Sequence, residues 1–303
     1  MSCIHVGNRP NQALESREDR FAQMTDRPSA VVLVPAHRVP TTVEGFSYRR
    51  CVESLGGRWP IVVVCPESLD VSWVDAETRV ERLPDSWFES NAAYSALLLT
   101  RAFYERFSTF DFMLIHQLDC FVFEDQLAEW CARGWDYVGP PFFREYTADS
   151  GALEGVGCGG FSLRRIEASL DVLGSWRGRS SDRDALRRVA AFVARRALRD
   201  TPAEWRVRRA VRAQRAEDRF WASVPSWLPG FTIPDVDEAA LFGFELGGLP
   251  LMASYYGDRV PFGCHATSDV AAARELILDG RSPVTANERH LADLLERAGL
   301  LGS

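Results

Sequence analysis

The chain contains no lysine: all 35 of its basic residues are arginine. So exclusive a choice reads as GC-rich codon bias and not as a device for binding phosphate, and the placement of the arginines carries more information than their identity. Cysteine is sparse and unpatterned. The seven cysteines are odd in number, form no Cys-x-x-Cys pair and mostly lie in apolar stretches, where a free thiol behaves as a small hydrophobe. That argues against a disulfide framework and for a reducing compartment. No run of about 18 apolar residues is present to span a bilayer, and the first 30 residues carry no apolar segment of the kind a secretory signal needs. A cytoplasmic location is expected. The P-loop glycine pattern does not occur, and the one stretch with dinucleotide-type spacing, Gly155-x-Gly157-x-x-Gly160, is weak evidence by itself because glycine-rich turns also serve strand bulges.

What is present is an ordinary globular composition of 303 residues, 46% hydrophobic and 25% charged, enough for one large α/β domain. A net charge of −7 gives no long-range attraction to nucleic acid or to an anionic membrane. The charge is unevenly distributed. Residues 177–219 hold 14 arginines and 6 acids, a local +8, against −15 for the remainder. Such a segment is either a solvated helical face, with Val189, Phe192, Val193, Trp205 and Val211 as apolar positions, or a surface for an anionic partner such as a diphosphate or an acidic acceptor. An amphipathic helix there could touch a membrane, but the overall negative charge disfavours it.

Residues 1–28 lack periodicity and read as a loosely attached leader. Organised structure begins at Val31–Val34, a β-branched run closed by Pro35, and Ile61–Val64 repeats that form; both have the signature of buried strands. Residues 42–55 suit a helix between them, giving the strand–helix–strand opening of a parallel sheet. A helix is predicted from the Ser90/Asn91 cap through Tyr94, Leu97, Leu98, Ala102 and Phe103. Phe112–Ile115 reads as a central strand, and a helix from about Glu124 to Arg133 ends at Gly134.

Gln117 and Asp119 interrupt the apolar run at the carboxyl end of that central strand. A carboxylate there costs several kcal/mol unless it is paired or binds a metal, and open α/β sheets place ligand sites outside the carboxyl ends of their strands. Asp119 either serves such a site or caps the following turn. Downstream, Gly155, Gly157, Gly159 and Gly160 allow close backbone approach to a ligand or form a bulge. Glu217 and Asp218 lie beside Phe220 and Trp221, a setting that raises a carboxylate pKa toward that of a general base; as exposed acids they would pair with Arg215 or Arg219. His265 follows a glycine near the end, and could equally be a core histidine.

Taken in order, "LIHQLDCFVF", "WDYVGPPFF", "GVGCGGFSLRR", "AEDRFW" and "PFGCHA", with the Asn91–Tyr94 helix, resemble a glycosyltransferase of the GT-A fold, and more narrowly a little-characterised family known as a domain of unknown function. The resemblance spans about residues 29–268 and implies a single α/β, Rossmann-like domain. Its expected form is a mostly parallel central sheet flanked by helices, with a helical Arg-rich insertion over 165–215 that reads the acceptor and a helical tail over 269–303. It implies a nucleoside diphosphate sugar as donor, UDP foremost, and an acceptor hydroxyl. "QLD" stands where such enzymes carry Asp-x-Asp, so the resemblance assigns Asp119 and His265 to a Mn²⁺ or Mg²⁺ ion. Gln117, having lost the first charge, would contact a ribose hydroxyl or a metal-bound water. By the same pattern Asp218 is the base of an inverting displacement, with Glu217 beside it on the acceptor. Gly159 and Gly160 approach the donor, and His37 and Arg38, after the first strand, meet the base and ribose. Two other classes compete. One is an inactive nucleotide- or sugar-binding module of the same fold; the other, a nucleotidyltransferase, is disfavoured because "VPAHRVP" lacks a glycine-rich loop.

Overall fold

The structure is a computed structural model that describes residues 28–143, 153–175, 216–224, 228, 230–245 and 248–301. The leader expected over 1–28 and the Arg-rich segment beyond Ser175, with Val189, Phe192, Val193, Trp205 and Val211, lie outside the described residues, Pro28 excepted.

The valine-rich runs form the sheet centre. Strands β1 (Ala30–Pro35), β2 (Ile61–Pro66) and β4 (Phe112–His116) are buried almost without interruption, as strands covered on both faces must be. β1 pairs in parallel with β2 and with β4, and β2 with β3 (Arg79–Leu83). The β1–β2 crossover is helix α1 (Thr42–Leu55), opened by a capping box between Thr41 and Glu44. Beyond β4 the sheet changes hand. β9 (Phe161–Arg165) runs antiparallel to β4, and β6 (Tyr137–Val138) antiparallel to β9, giving the order β3-β2-β1-β4-β9-β6.

The sheet is mixed and not all-parallel: the parallel pairs expected from the sequence hold for β3, β2, β1 and β4, and β9 is the strand that runs against the others. The cause is the connection: β7 (Pro141–Phe143) and β8 (Leu153–Val156) form an antiparallel pair that delivers the chain to the carboxyl end of β4. Among the described residues no crossover helix returns it to the opposite end, and the next strand runs back.

Alternation along β1 divides the core. Val32 and Val34 pack with α1 and with α4 (Leu127–Ala132), while Val31 and Leu33 face α2 (Asn91–Leu97), α3 (Arg101–Glu105), α5 (Ile166–Ser175) and α6 (Ala216–Ser223). The single helix predicted after Ser90 is two: the chain breaks at Leu98–Thr100 and Thr100 caps α3 by accepting the Phe103 N–H at 3.2 Å. The helix predicted from Glu124 starts later because Asp125 accepts the Leu127 N–H and the Trp59 indole N–H instead of entering it.

A second, three-stranded sheet carries the rest of the site in the order β10 (Gly243–Glu245), β11 (Gly263–His265), β5 (Phe121–Val122); α7 (Val236–Phe242) leads into it. Its apolar face packs with α8 (Leu249–Tyr256), α9 (Thr267–Leu278) and α10 (Ala286–Arg297). Residues 269–278 and 286–297 are helical and supply Val270, Leu291 and Leu294 to a buried cluster.

The two sheets meet closely at Gly263, where an added Cβ would lie 2.5 Å from the Phe121 carbonyl oxygen and 2.5 Å from the Phe161 ring. Gly263→Ala is expected to destabilise the fold by about 1–3 kcal/mol, the usual cost of overpacking. Denaturant unfolding that matched the wild type would contradict this contact.

Candidate functional site

The carboxyl ends of β1 and β4, the amino end of β9, the start of α6 and the ends of β10 and β11 converge on one cavity of about 730 Å³. Strand register explains the convergence. β5 pairs antiparallel with β11, Cys264 opposite Phe121, which brings Asp119 alongside His265. Glu245 and His265 are register partners on the parallel pair β10 and β11. Because β9 runs antiparallel to β4, with His116 opposite Phe161, the glycines before β9 lie beside Gln117.

The turn from Gln117 to Cys120 is held from three sides. Gln117 N–H donates to the Gly160 carbonyl at 2.9 Å and Thr267 N–H to the Asp119 carbonyl at 3.0 Å. The Ser47 and Thr267 hydroxyls both donate to the Cys120 carbonyl. Asp119 projects from this turn with its Oδ1 3.0 Å from His265 Nε2, and the other imidazole nitrogen, Nδ1, lies 3.1 Å from Glu245 Oε1 and 3.4 Å from Cys158 Sγ. Burial works against charge on His265, but the flanking carboxylates hold its pKa well above the usual imidazole value. For Asp119 and Glu245 burial would raise the pKa, and His265 outweighs it, so both lie below the usual carboxylate range.

Across the cavity, Glu217 is buried and ion-paired with Arg164, which is fully buried. The guanidinium also donates to the Tyr104 hydroxyl and to the Gly159 carbonyl. Burial raises the Glu217 pKa and Arg164 opposes the rise. Asp218 shows no such ion pair among the described residues. Burial first, then the neighbouring Glu217 charge, push it up to about 7, opposed by a backbone bond from the Arg219 N–H at 2.7 Å and by the Arg219 charge. A carboxylate with that pKa can take a proton and give it back near neutrality.

The paired glycines are accounted for by what they touch. A Cβ at Gly159 would lie 2.7 Å from Glu217 Oε2, and one at Gly160 would lie 2.9 Å from both Gln117 Oε1 and His265 Nε2. No side chain fits at either position without moving a polar group of the site.

All nine residues singled out in the sequence border this cavity: His37, Arg38, Gln117, Asp119, Gly159, Gly160, Glu217, Asp218 and His265. Arg38, however, is engaged with Glu44 through two bonds of 2.7 and 2.8 Å. Sequence reasoning missed Glu245, which sits in "FGFELGG" with no motif around it; only its register with His265 brings it to the site. It also missed the Glu44–Arg38 clamp, although the Thr41-x-x-Glu44 capping pattern was there to be read.

Six carboxylates line the cavity, from Glu44, Glu89, Asp119, Glu217, Asp218 and Glu245, and among the described residues Arg38 is the one lining arginine. A cation among these carboxylates would offset their repulsion of an anionic ligand. Asp119 and His265 suit one: a carboxylate oxygen and an imidazole nitrogen on one wall form a donor set for Mn²⁺ or a similar divalent ion. Cys120 lies near them, but its thiol donates to the Gly160 carbonyl and is fully buried.

Behind the site His116 is fully buried, with neither ring nitrogen hydrogen-bonded among the described residues. Burial lowers its pKa from 6.5 to about 4. The unfolded chain therefore binds a proton near pH 6.5 that the folded chain refuses until about pH 4, and stability falls as pH drops through that window. The full loss is about 3 kcal/mol. His116→Leu is expected to remove this part of the acid destabilisation in urea titrations between these limits; parallel curves for the two proteins would refute the assignment.

Comparison with known proteins adds the following. The profile of the family described as "Protein of unknown function (DUF5672)" matches residues 77–265, more than half of the chain. No curated protein matches significantly. Among solved structures, the mannosyltransferase Ktr4p from S. cerevisiae in complex with GDP is similar at 9% identity and a TM-score of 0.35, over 78% of this chain and 73% of that one. The mannosyltransferase PcManGT from Pyrobaculum calidifontis in complex with GDP-Man and Mn²⁺ is similar at 14% identity and a TM-score of 0.35, over 94% and 92%.

Proposed function

We propose that this chain, which belongs to the DUF5672 family, transfers a sugar from a nucleoside diphosphate donor to an acceptor hydroxyl, with a divalent cation held by Asp119 and His265. The observation that carries the reading is a division of labour within one cavity: a carboxylate–imidazole pair and a carboxylate whose pKa is raised to about 7 both line it.

In this reading the cation, when bound, offsets the charge that develops on the diphosphate leaving group. The protein does the rest. Asp218 accepts the proton of the acceptor hydroxyl as that oxygen bonds to the anomeric carbon and the bond to the diphosphate breaks, a single displacement with inversion. Glu217, fixed by Arg164, keeps Asp218 basic through its charge and faces the acceptor. Gln117 offers an amide to a donor hydroxyl, and Gly159 and Gly160 keep that wall free of side chains. His37 and Arg38, on the loop after β1, border the nucleoside end. UDP is the donor nucleotide expected from the family pattern.

Two measurements test this. Thermal unfolding with UDP, GDP, dTDP and CMP, each with and without Mn²⁺, is expected to show stabilisation by one diphosphate that requires Mn²⁺ and is lost in Asp119→Ala. A ligand at about 100 times its Kd adds about 2.7 kcal/mol. No shift with any nucleotide would remove the donor site. Asp218→Asn is expected to keep that shift while transfer falls by about 10²–10⁴; full activity in this variant would overturn the base assignment. A wild type that binds the donor but shows no turnover with any acceptor would favour a binding module of the same fold.

A further inference from the structure

Glu245 faces the cavity but has no part in the transfer described above, and its placement shows a different use. One imidazole, His265, stands between two carboxylates. Its Nε2 is 3.0 Å from Asp119 Oδ1 and its Nδ1 is 3.1 Å from Glu245 Oε1. The two sides are unequal. The Asp119 side chain is 62% exposed, open to the cavity and to further ligands, whereas that of Glu245 is 22% exposed.

The inner contact is also the rigid one. Glu245 and His265 are register partners on paired strands. The ring is further backed by Gly160, whose position leaves no room for a Cβ beside Nε2, and by Cys158 at 3.4 Å from Nδ1. An imidazole that donates its Nδ1–H to a carboxylate presents its Nε2 lone pair on the opposite side, with the ring orientation fixed and its basicity raised.

We infer that Glu245 is a positioning residue: by accepting the Nδ1–H of His265 it commits Nε2, together with Asp119, to the divalent cation of the proposed donor site. The inference rests on that site reading and adds the residue that prepares the histidine for it. Cys158 is a neighbour on the Nδ1 side and not a ligand.

The test is a Mn²⁺ titration of the full chain, followed by the electron paramagnetic resonance signal of the free ion. It compares the wild type with Asp119→Ala, Glu245→Ala, Glu245→Gln and Cys158→Ser. Glu245→Ala is expected to weaken Mn²⁺ binding by about 10–100-fold, the usual effect of removing such a partner. Glu245→Gln, which keeps an acceptor without the charge, should fall between wild type and Glu245→Ala, and Cys158→Ser should bind as the wild type does. The near-isosteric Gln variant carries the test if the Ala variant does not fold.

Wild-type affinity in both Glu245 variants, with binding lost in Asp119→Ala, would overturn the positioning role and leave the donor-site reading standing. No Mn²⁺ binding by the wild type would overturn both. With Co²⁺ in place of Mn²⁺, a sulfur-to-cobalt charge-transfer band abolished by Cys158→Ser would put the ion on the Nδ1 side, among Cys158, Glu245 and His265, and would also overturn the assignment.

Discussion

The backbone of one four-residue turn, Gln117–Cys120, decides where every polar group of the cavity can stand. A β-strand as apolar as β4 has no intrinsic way to end in an ordered polar turn, because the carbonyls and amides past its last ladder bond need new partners. Here the partners come from three different elements. Gly160 takes the Gln117 N–H, Thr267 gives its N–H to the Asp119 carbonyl, and the Ser47 and Thr267 hydroxyls share the Cys120 carbonyl. Helix α1, strand β9 and helix α9 are thereby tied to one point. Asp119 inherits a fixed position from this arrangement, with a carboxylate oxygen 3.0 Å from His265 Nε2.

Electrostatics then separates the carboxylates by role. Asp119 and Glu245 share an imidazole and stay ionised. Glu217 is neutralised in place by a fully buried guanidinium, a pair whose geometry is satisfied by Tyr104, Ser162 and Gly159. Removing one member of such a pair costs far more than the pair contributes, since the survivor is left buried and uncompensated. Burial raises Glu217 all the same, and Asp218, beside that charge, is pushed up to about 7. Four acids within one cavity thus differ in protonation because of what lies beside each, not because of their type.

Much of the architecture could be read from residue order. The runs at β1, β2 and β4 declared buried strands, residues 42–55 declared the helix between the first two, and Asp119 was conspicuous because a carboxylate does not interrupt an apolar strand without a partner. What could not be read was whatever depends on strand direction and register. The reversal at β9 follows from the β7–β8 excursion, which carries no hydrophobic period of its own. The break at Leu98–Thr100 was hidden inside an apolar helical pattern. Glu245 was invisible because a lone acid in a short strand has no local signature; it becomes legible only when β10 is laid beside β11.

Register also bears on the odd glutamine. In a turn that already holds Asp119, a second carboxylate at position 117 would lie against Gly160 and close to His265, the same wall that Glu245 approaches from behind. Three negative groups around one imidazole would repel one another at close range. With Glu245 supplying the inner charge and Asp119 the outer one, an uncharged amide at Gln117 keeps the wall polar and adds no further repulsion. The uncharged side chain at 117 and the presence of Glu245 are in this sense one arrangement, in which the second carboxylate reaches the histidine from a neighbouring strand and not from the same turn.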